Sequence, residues 1–132
     1  MARPADGDQV LLIEDDPWVQ SVLAELLQDE GYTVSRALTS REGLRLAEHV
    51  QPALIILDLH LPDTPGIDLL RTLKDRPTTR EVPVLVVSAY PQLLEECHGC
   101  ADGVHSKPFD VTALLDHVRQ LVRGSAASIP PR

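Results

Sequence analysis

The hydrophobic pattern of this chain alternates between two textures, and this alternation constrains the fold most. Continuous apolar runs occur at residues 10–13, 53–57 and 82–87, as expected for strands buried on both faces of a parallel sheet. Weaker strand signals lie at 32–35 and around 103–105. Segments with apolar residues at helical spacing separate these runs. The order of strand then helix, repeated five times, predicts an α/β sandwich with a parallel sheet and right-handed crossovers.

Residues that favour helix starts precede the helical segments. An Asp, Ser or Thr at the N-cap satisfies free backbone N–H groups, and Pro suits the first helical position. The segment after Pro91 predicts a short helix at best, and Gly31 is expected to end the first helix. The predicted starts are Asp16-Pro17, Thr39 with Glu42 as a capping box, Thr64-Pro65, and Asp110.

Length and charge limit the classes of function. With 132 residues the chain is predicted to form one domain over 8–123, flanked by an N-terminal tail (1–7) and a C-terminal tail or linker stub (124–132). A net charge of −8 argues against direct binding to nucleic acid or to an anionic membrane. No apolar run approaches the ~20 residues of a membrane helix. Two cysteines are too few for a disulfide framework, so a cytoplasmic location is expected.

Polar side chains stand where the apolar runs stop. Glu14 and Asp15 follow the first run, Asp58 follows the third, Ser88 follows the fourth, and Lys107 comes after the fifth. Because the carboxyl ends of parallel strands share one edge of the sheet, these groups are expected to converge there.

Three acids, a hydroxyl and an ammonium form a chemically specific set. Clustered carboxylates repel one another, and a divalent cation relieves that repulsion. Mg²⁺ favours a few carboxylates together with water and phosphate oxygens. A carboxylate such as Asp58 can act as a nucleophile that forms an aspartyl-phosphate. A Lys, a hydroxyl and a metal can hold the oxygens of a transferring phosphoryl group.

In order and spacing these residues resemble the receiver domains of two-component response regulators. The matching stretches are 10–16 (VLLIEDD), 58–63 (DLHLPD) with Gly66, Ser88-Ala89, and Lys107-Pro108-Phe109. The resemblance extends over about residues 8–123. It implies a doubly wound (βα)5 flavodoxin-like three-layer sandwich with a five-stranded parallel sheet in strand order 2-1-3-4-5.

The resemblance also implies a role for each site residue. Asp58 would accept a phosphoryl group from a histidine kinase or a histidine phosphotransfer protein. The carboxylates of Glu14, Asp15 and Asp58, with the backbone carbonyl of His60, would hold Mg²⁺ or Mn²⁺. Ser88 would bond a phosphoryl oxygen. Lys107 would pair with the phosphate and precede a cis peptide bond. An effector domain or downstream protein would read the signal, with the chain a monomer or a phosphorylation-dependent dimer, and the chain itself would not be an enzyme.

The sequence departs from the family pattern in three places. Val104 stands where many receivers carry an aromatic switch residue. The stretch from Ser88 to Lys107 is short, which predicts a brief fourth helix. His60 and Tyr90 occupy two variable positions beside the expected site. These departures keep open a second hypothesis, a pseudo-receiver that binds partners without phosphorylation.

Other functions have weaker support. A phosphohydrolase that uses Asp58 would want a second Asp at the position of His60. Nucleotide-binding glycine motifs are absent. The pair Cys97 and Cys100 supplies two ligands, too few for a zinc site without added histidines. Three remaining side chains are interpreted structurally: Trp18 as packing at the start of the first helix, and His49 and His117 as surface residues.

Overall fold

A single five-stranded parallel sheet forms the centre of the molecule, in the computed structural model that describes residues 8–97 and 99–127. The strand order is β2-β1-β3-β4-β5, as the resemblance implied. The strands are β1 (Gln9–Ile13), β2 (Thr33–Ala37), β3 (Leu54–Asp58), β4 (Val84–Ser88) and β5 (Gly103–Ser106). The predicted flavodoxin-like fold is therefore confirmed.

Four helices lie between successive strands, and a fifth follows β5 in the described residues: α1 (Pro17–Asp29), α2 (Ser40–Val50), α3 (Gly66–Asp75), α4 (Pro91–Glu96) and α5 (Val111–Ala127). The short fourth helix was predicted correctly. Helix α5 continues to Ala127, so the tail predicted from residue 124 begins inside the helix. Its last turn follows the apolar stripe and so carries no periodic signal of its own. The remaining tail residues, 1–7 and 128–132, lie outside the described part.

Two apolar layers cover the faces of the sheet. Side chains of β1, β3 and β4 are buried almost throughout, as their continuous apolar runs predicted. Leu11, Ile55 and Val86 pack on the face covered by α2, α3 and α4. Val10, Leu54 and Val87 alternate onto the face covered by α1 and α5. Strand β2, whose strand signal in the sequence is weak, lies at the edge of the sheet and is only partly buried. No helix in the described ranges is long and apolar enough to cross a membrane.

Three predicted caps are present. The Asp16 carboxylate accepts the backbone N–H of Trp18 at 2.9 Å, and the Thr39 hydroxyl accepts that of Glu42 at 3.1 Å. Asp110 accepts the N–H of Ala113 at 3.0 Å. Each bond satisfies a helix N–H that has no partner within its helix.

Helix α3 begins later than predicted, at Gly66, with Pro65 as an N-cap that makes no side-chain bond. Gly66 donates its N–H to the carbonyl of Leu59 at 2.9 Å. A Cβ at Gly66 would lie 2.5 Å from the Leu59 Cα and 2.7 Å from the Asp58 carbonyl oxygen. The start of α3 is therefore drawn tightly against the end of β3, which only a glycine permits.

Candidate functional site

Three carboxylates meet at the carboxyl edge of the sheet. Glu14 directly follows β1, and Asp58 is the last residue of β3; their exposed fractions are 1% and 3%. Asp15 is partly buried beside them. One carboxylate oxygen from each of the three lies within 4.8 Å of the others. The structure thus brings together the acids predicted from the strand ends.

The ammonium of Lys107 pairs with two of these carboxylates. Its Nζ lies 2.9 Å from Oε1 of Glu14 and 3.4 Å from Oδ2 of Asp58. Its backbone N–H donates to the carbonyl of Ser88 at 2.8 Å, which ties the β5–α5 loop to the end of β4. The Lys107–Pro108 peptide bond is cis, as the resemblance implied.

Ser88 ends β4 and is buried. Its Oγ accepts the backbone N–H of Tyr90 at 3.0 Å. The neighbouring carbonyl of Val87 accepts the N–H of Leu59, the residue after Asp58, at 3.2 Å. Ser88 therefore stands at the same sheet edge as Asp58, on the adjacent strand.

Burial and charge oppose one another at Glu14. The pKa of this carboxyl is raised from 4.5 to about 7. Burial raises it most, the Lys107 ammonium lowers it, and the neighbouring Asp58 raises it further. Burial by itself lowers the pKa of Lys107, but its bonds to Glu14 and Asp58 outweigh this effect and raise it. One half-buried ammonium thus contacts two of three crowded carboxylates, and the group favours additional positive charge.

The donor set fits a hard divalent cation. Mg²⁺ is bound in proteins through one or two carboxylates, with water and phosphate oxygens completing its shell. Here the carboxylates face an open cavity of about 250 Å³, also lined by Asp16, His60, Ala89, Tyr90 and Lys107. The backbone N–H of His60 donates to Oδ1 of Asp58 at 3.1 Å. The carbonyl of His60 as a metal ligand stays a prediction, and Asp16 acts as the cap of α1.

Two rings frame the mouth of this cavity. The His60 and Tyr90 rings lie with centroids 5.9 Å apart and planes tilted by 42°. Val104, at the position of the usual aromatic switch residue, is half-buried and packs against the same apolar layer as Leu94. The aromatic group beside the site therefore comes from Tyr90.

Sequence reasoning missed a buried amide that holds the first acidic loop. Gln20 lies on α1 and donates from Nε2 to the carbonyls of Glu14, at 3.1 Å, and Ala37, at 2.8 Å. Its only sequence signal is a polar residue among the apolar positions of α1.

A second positioning residue, Asp63, lies in the β3–α3 loop. Its carboxylate accepts the N–H groups of Ser40 and Arg41 at the start of α2, at 2.8 and 3.0 Å. These two bonds lower the pKa of Asp63. The loop that follows the acceptor strand is thereby fastened to the neighbouring helix.

The interpretation of Trp18 as a packing residue was wrong, because its side chain is 73% exposed. Trp18 borders an apolar groove of about 240 Å³, formed with Val19, Val22, Leu23, Lys107, Pro108 and Phe109. Lys107 lines both this groove and the acidic cavity. The structure thus places an exposed aromatic surface directly beside the candidate site.

The remaining sequence features have mixed outcomes. His49 is exposed, as predicted, whereas His117 is half-buried and contacts His105, so the surface interpretation of His117 was wrong. Cys97 is buried, Cys100 is exposed, and both are free. Within residues 8–97 and 99–127, the cluster of three or more potential metal ligands is Glu14, Asp15 and Asp58. The cysteines take no part in it.

An acid pair, a third carboxylate, a hydroxyl and a lysine meet at one sheet edge of this fold, and the solved structures it resembles are receiver domains. The family model described as the response regulator receiver domain matches residues 10–119. The chain belongs to the family of response regulator receiver domains.

Over most of its length the chain is also similar to a curated transcriptional regulator. The DNA-binding dual master transcriptional regulator RpaA of Synechocystis sp. is 36% identical over 118 residues, which cover 87% of this chain and 49% of that protein. The chain thus spans about half the length of that curated relative.

Solved structures include the signal receiver domain of a signal transduction histidine kinase from Syntrophus aciditrophicus, with a TM-score of 0.83, 30% identity, and coverage of 89% of this chain and 92% of that one. The receiver domain of a Pseudomonas aeruginosa sensor histidine kinase gives a TM-score of 0.81 and 26% identity, and covers 88% of this chain and 98% of that one. That structure has a magnesium ion coordinated in its active site cleft.

Proposed function

We propose that this domain is a phosphorylation-controlled switch in which Asp58 accepts a phosphoryl group from the phosphohistidine of a histidine kinase or phosphotransfer protein, in a Mg²⁺-dependent reaction. The observation that carries the proposal is the Lys107 ammonium, which lies between the buried carboxylates of Glu14 and Asp58, at 2.9 and 3.4 Å. An ammonium in this place neutralises the acceptor and can then hold the oxygens of an arriving phosphoryl group.

The transfer is a displacement at phosphorus. An oxygen of Asp58 forms the new O–P bond while the N–P bond of the donor phosphohistidine breaks. The departing imidazole keeps the electron pair of the broken bond and takes up a proton. The N–H of His60 already bonds Oδ1 of Asp58, whereas Oδ2 faces Lys107. Lys107 and the Ser88 hydroxyl would hold the phosphoryl oxygens, and Mg²⁺, when bound by the acid group, would neutralise further charge on them.

The apolar groove beside Trp18 supports a protein donor. Exposed aromatic and aliphatic side chains that adjoin a charged site are typical of a docking surface with a central anchor. The groove shares Lys107 with the acidic cavity, so a partner seated on it would bring its histidine to Asp58. A sensor kinase or phosphotransfer protein is the class of partner that fits.

Phosphorylation would change the contacts that Ser88 and Lys107 make in this structure, and that change would be the signal to a partner. A phosphoryl group at Asp58 adds nearly two negative charges and new acceptor oxygens. Lys107 would turn from Glu14 toward them, and Ser88 would offer its hydroxyl. Because Lys107 is bonded to the Ser88 carbonyl, these movements affect α4, β5 and the following loop together. A linked effector domain or a downstream protein would read this surface.

Two further assignments belong to the proposal. The domain would act on itself, through phosphotransfer and autodephosphorylation, and would have no separate substrate to turn over. Its location would be the cytoplasm, which suits a protein whose two cysteines, Cys97 and Cys100, are both free thiols.

Intact-mass spectrometry after incubation with Mg²⁺ and acetyl phosphate tests the proposal. The native chain is expected to gain one phosphate, with acetate as the leaving group, and Asp58→Asn is expected to gain none. Asp68→Asn, a change at an exposed acid on α3, is the matched control and should gain one phosphate. A phosphate on Asp58→Asn, or none on the native chain with either acetyl phosphate or a phosphohistidine donor, would contradict the proposal.

A pseudo-receiver is the second candidate, favoured by Val104 in place of an aromatic residue. It predicts that partner binding is the same with and without Mg²⁺ and phosphoryl donor. Pull-down affinity measured under both conditions separates the two functions, because a switch must bind its partner differently after phosphorylation.

A further inference from the structure

Two histidines meet between the edge strand β5 and the last helix. Nε2 of His105, on β5, lies 2.9 Å from Nδ1 of His117, on α5. Their ring centroids are 5.1 Å apart and their planes are tilted by 58°. Both side chains are half-buried. The contact joins strand β5 to helix α5.

The neighbouring backbone leaves room for this contact. A Cβ at Gly103 would lie 2.6 Å from Nε2 of His117 and 2.8 Å from a methyl carbon of Leu85. The His117 ring therefore occupies the space that any other residue at 103 would fill. Strand β5 has no further strand beyond it, so this ring closes the outer side of the sheet against α5.

The bond between the rings depends on their protonation state. One ring must donate an N–H and the other must accept with a bare nitrogen. The pair can hold one added proton, on the ring that donates. When both rings are charged, no acceptor nitrogen remains, and two half-buried cations face each other. The hydrogen bond between the rings is therefore lost when both carry a proton.

Among the residues that the structure describes, His117 is the titratable group that acts on His105. Burial and the neighbouring His117 lower the pKa of His105. Strand β4 presents Leu85 and Val87 on this face, and α4 lies on the opposite face with Val104. The charged residues nearby on the chain and on packed elements have partners elsewhere: Asp102 with Lys74, Lys107 with Glu14 and Asp58, and Arg119 with Asp116 and Glu30.

We propose that His105 and His117 form a proton-sensitive clasp that holds α5 against the edge strand β5 at neutral pH and releases it when both rings carry a proton. The clasp lies on the α1–α5 face of β5 and is independent of phosphorylation at Asp58. Its release would loosen β5 and α5, two elements that flank the Lys107 loop.

The sign of the effect follows from linkage. A histidine whose pKa in the folded chain lies below its ordinary value of about 6.5 favours folding most above that pH. Its contribution is lost as the pH falls through the folded-state pKa, because the unfolded chain takes up the proton first. For each unit by which the histidine pKa is lower in the folded chain than in the unfolded chain, the folding equilibrium constant falls about tenfold at acid pH.

Urea unfolding of the native chain, His117→Gln and His49→Gln between pH 7.5 and pH 5 tests the clasp. Glutamine can keep a neutral hydrogen bond to His105 but cannot take the second charge. The native chain and His49→Gln, a change at an exposed histidine, are expected to lose more in folding equilibrium constant between these pH values than His117→Gln does. Equal losses in all three chains would overturn the proposal.

A second measurement needs no variant. In the native chain, the NMR signal of His105 is expected to titrate below the ordinary histidine value of about 6.5, and amide exchange in β5 and α5 should accelerate over the same pH range. A His105 signal that titrates at or above about pH 6.5, or unchanged exchange, would overturn the proposal. Neither readout involves phosphate, so failure of the clasp and failure of the proposed phosphorylation are distinguishable.

Discussion

Glu14 is the residue whose protonation state most affects the candidate site. In the folded chain its pKa is raised by burial from 4.5 to about 7. An acid whose pKa is raised on folding contributes stability that is fully present below pH 4.5 and is lost as the pH rises through about 7. A bound cation reverses this preference, because it stabilises the charged form.

Mg²⁺ affinity is therefore expected to depend on pH in a definite direction. As the pH falls below 7, a proton competes for Glu14, and the Kd for Mg²⁺ is expected to rise about tenfold per unit. Isothermal titration calorimetry at pH 6 and pH 8 measures this change. Glu14→Gln should bind more weakly and show little pH dependence in that range. A Kd that is the same at both pH values in the native chain would count against the assignment.

The two residues interpreted wrongly from the sequence failed for a shared physical reason. Trp18 lies on a face of α1 that Val22, one turn later, shares, and both side chains are exposed, so the apolar character of Trp18 did not predict burial. His117 was interpreted as a surface residue, and it is half-buried because Gly103 leaves space for its ring. Contacts between residues far apart in the chain decide both cases, and local periodicity does not encode them.

At the level of elements, the tight start of α3 makes a testable contribution to stability. Gly66→Ala would force a methyl group against the Leu59 Cα and the Asp58 carbonyl, backbone atoms that cannot rotate away. Overpacking of this kind costs about 1–3 kcal/mol of unfolding free energy. Urea unfolding of the variant measures it. The control is Gly124→Ala, at a position on α5 with open space, which should gain about 0.5–1 kcal/mol. Equal effects of both changes would contradict the close packing.

Helix α1 provides a separate test of partner docking. Trp18→Ala removes the most exposed ring of the groove and is expected to slow phosphotransfer from a histidine kinase about tenfold or more, as loss of an anchor residue does. Transfer from acetyl phosphate needs no docking and should be unchanged. Leu38→Ala, at an exposed apolar residue outside the groove, is the control. Equal slowing with both donors would place Trp18 in the chemistry instead.

Most elements could be predicted from the sequence because their signals are local. Apolar runs marked the three central strands, and Asp16, Thr39 and Asp110 marked three helix starts. The start of α3 was misplaced because Gly66 is held by a bond to Leu59, which no pattern near Thr64 shows. The site acids were predictable since strand ends must meet; the supports Gln20 and Asp63 were not, because their partners lie on other elements.

Across the whole molecule, the site is assembled from distant parts of one chain. Glu14 and Lys107 are separated by 93 positions and meet at 2.9 Å. The acceptor and its neighbours belong to four different strand-to-helix junctions, so the site has no local substructure that could form alone.

Loss of the fold and loss of the site are therefore expected to coincide. When the fraction of chain that gains a phosphate from acetyl phosphate is measured across a urea series, it should follow the unfolding curve recorded by far-UV circular dichroism. A domain of this size is expected to unfold in one cooperative step. Phosphate uptake that disappears well before the circular dichroism signal would show that the site opens separately.

The span between Glu14 and Lys107 also bears on the chain while it is being made. A ribosome releases Glu14 and Asp58 before Lys107, so a partly synthesised chain carries both carboxylates without the ammonium that contacts them. Such a chain, or one cut short before β5, has Asp58 but lacks Lys107, and under the proposed function it is not expected to accept a phosphoryl group. Incomplete copies of this protein would then stay unphosphorylated, and they would not compete with complete copies for the phosphoryl donor.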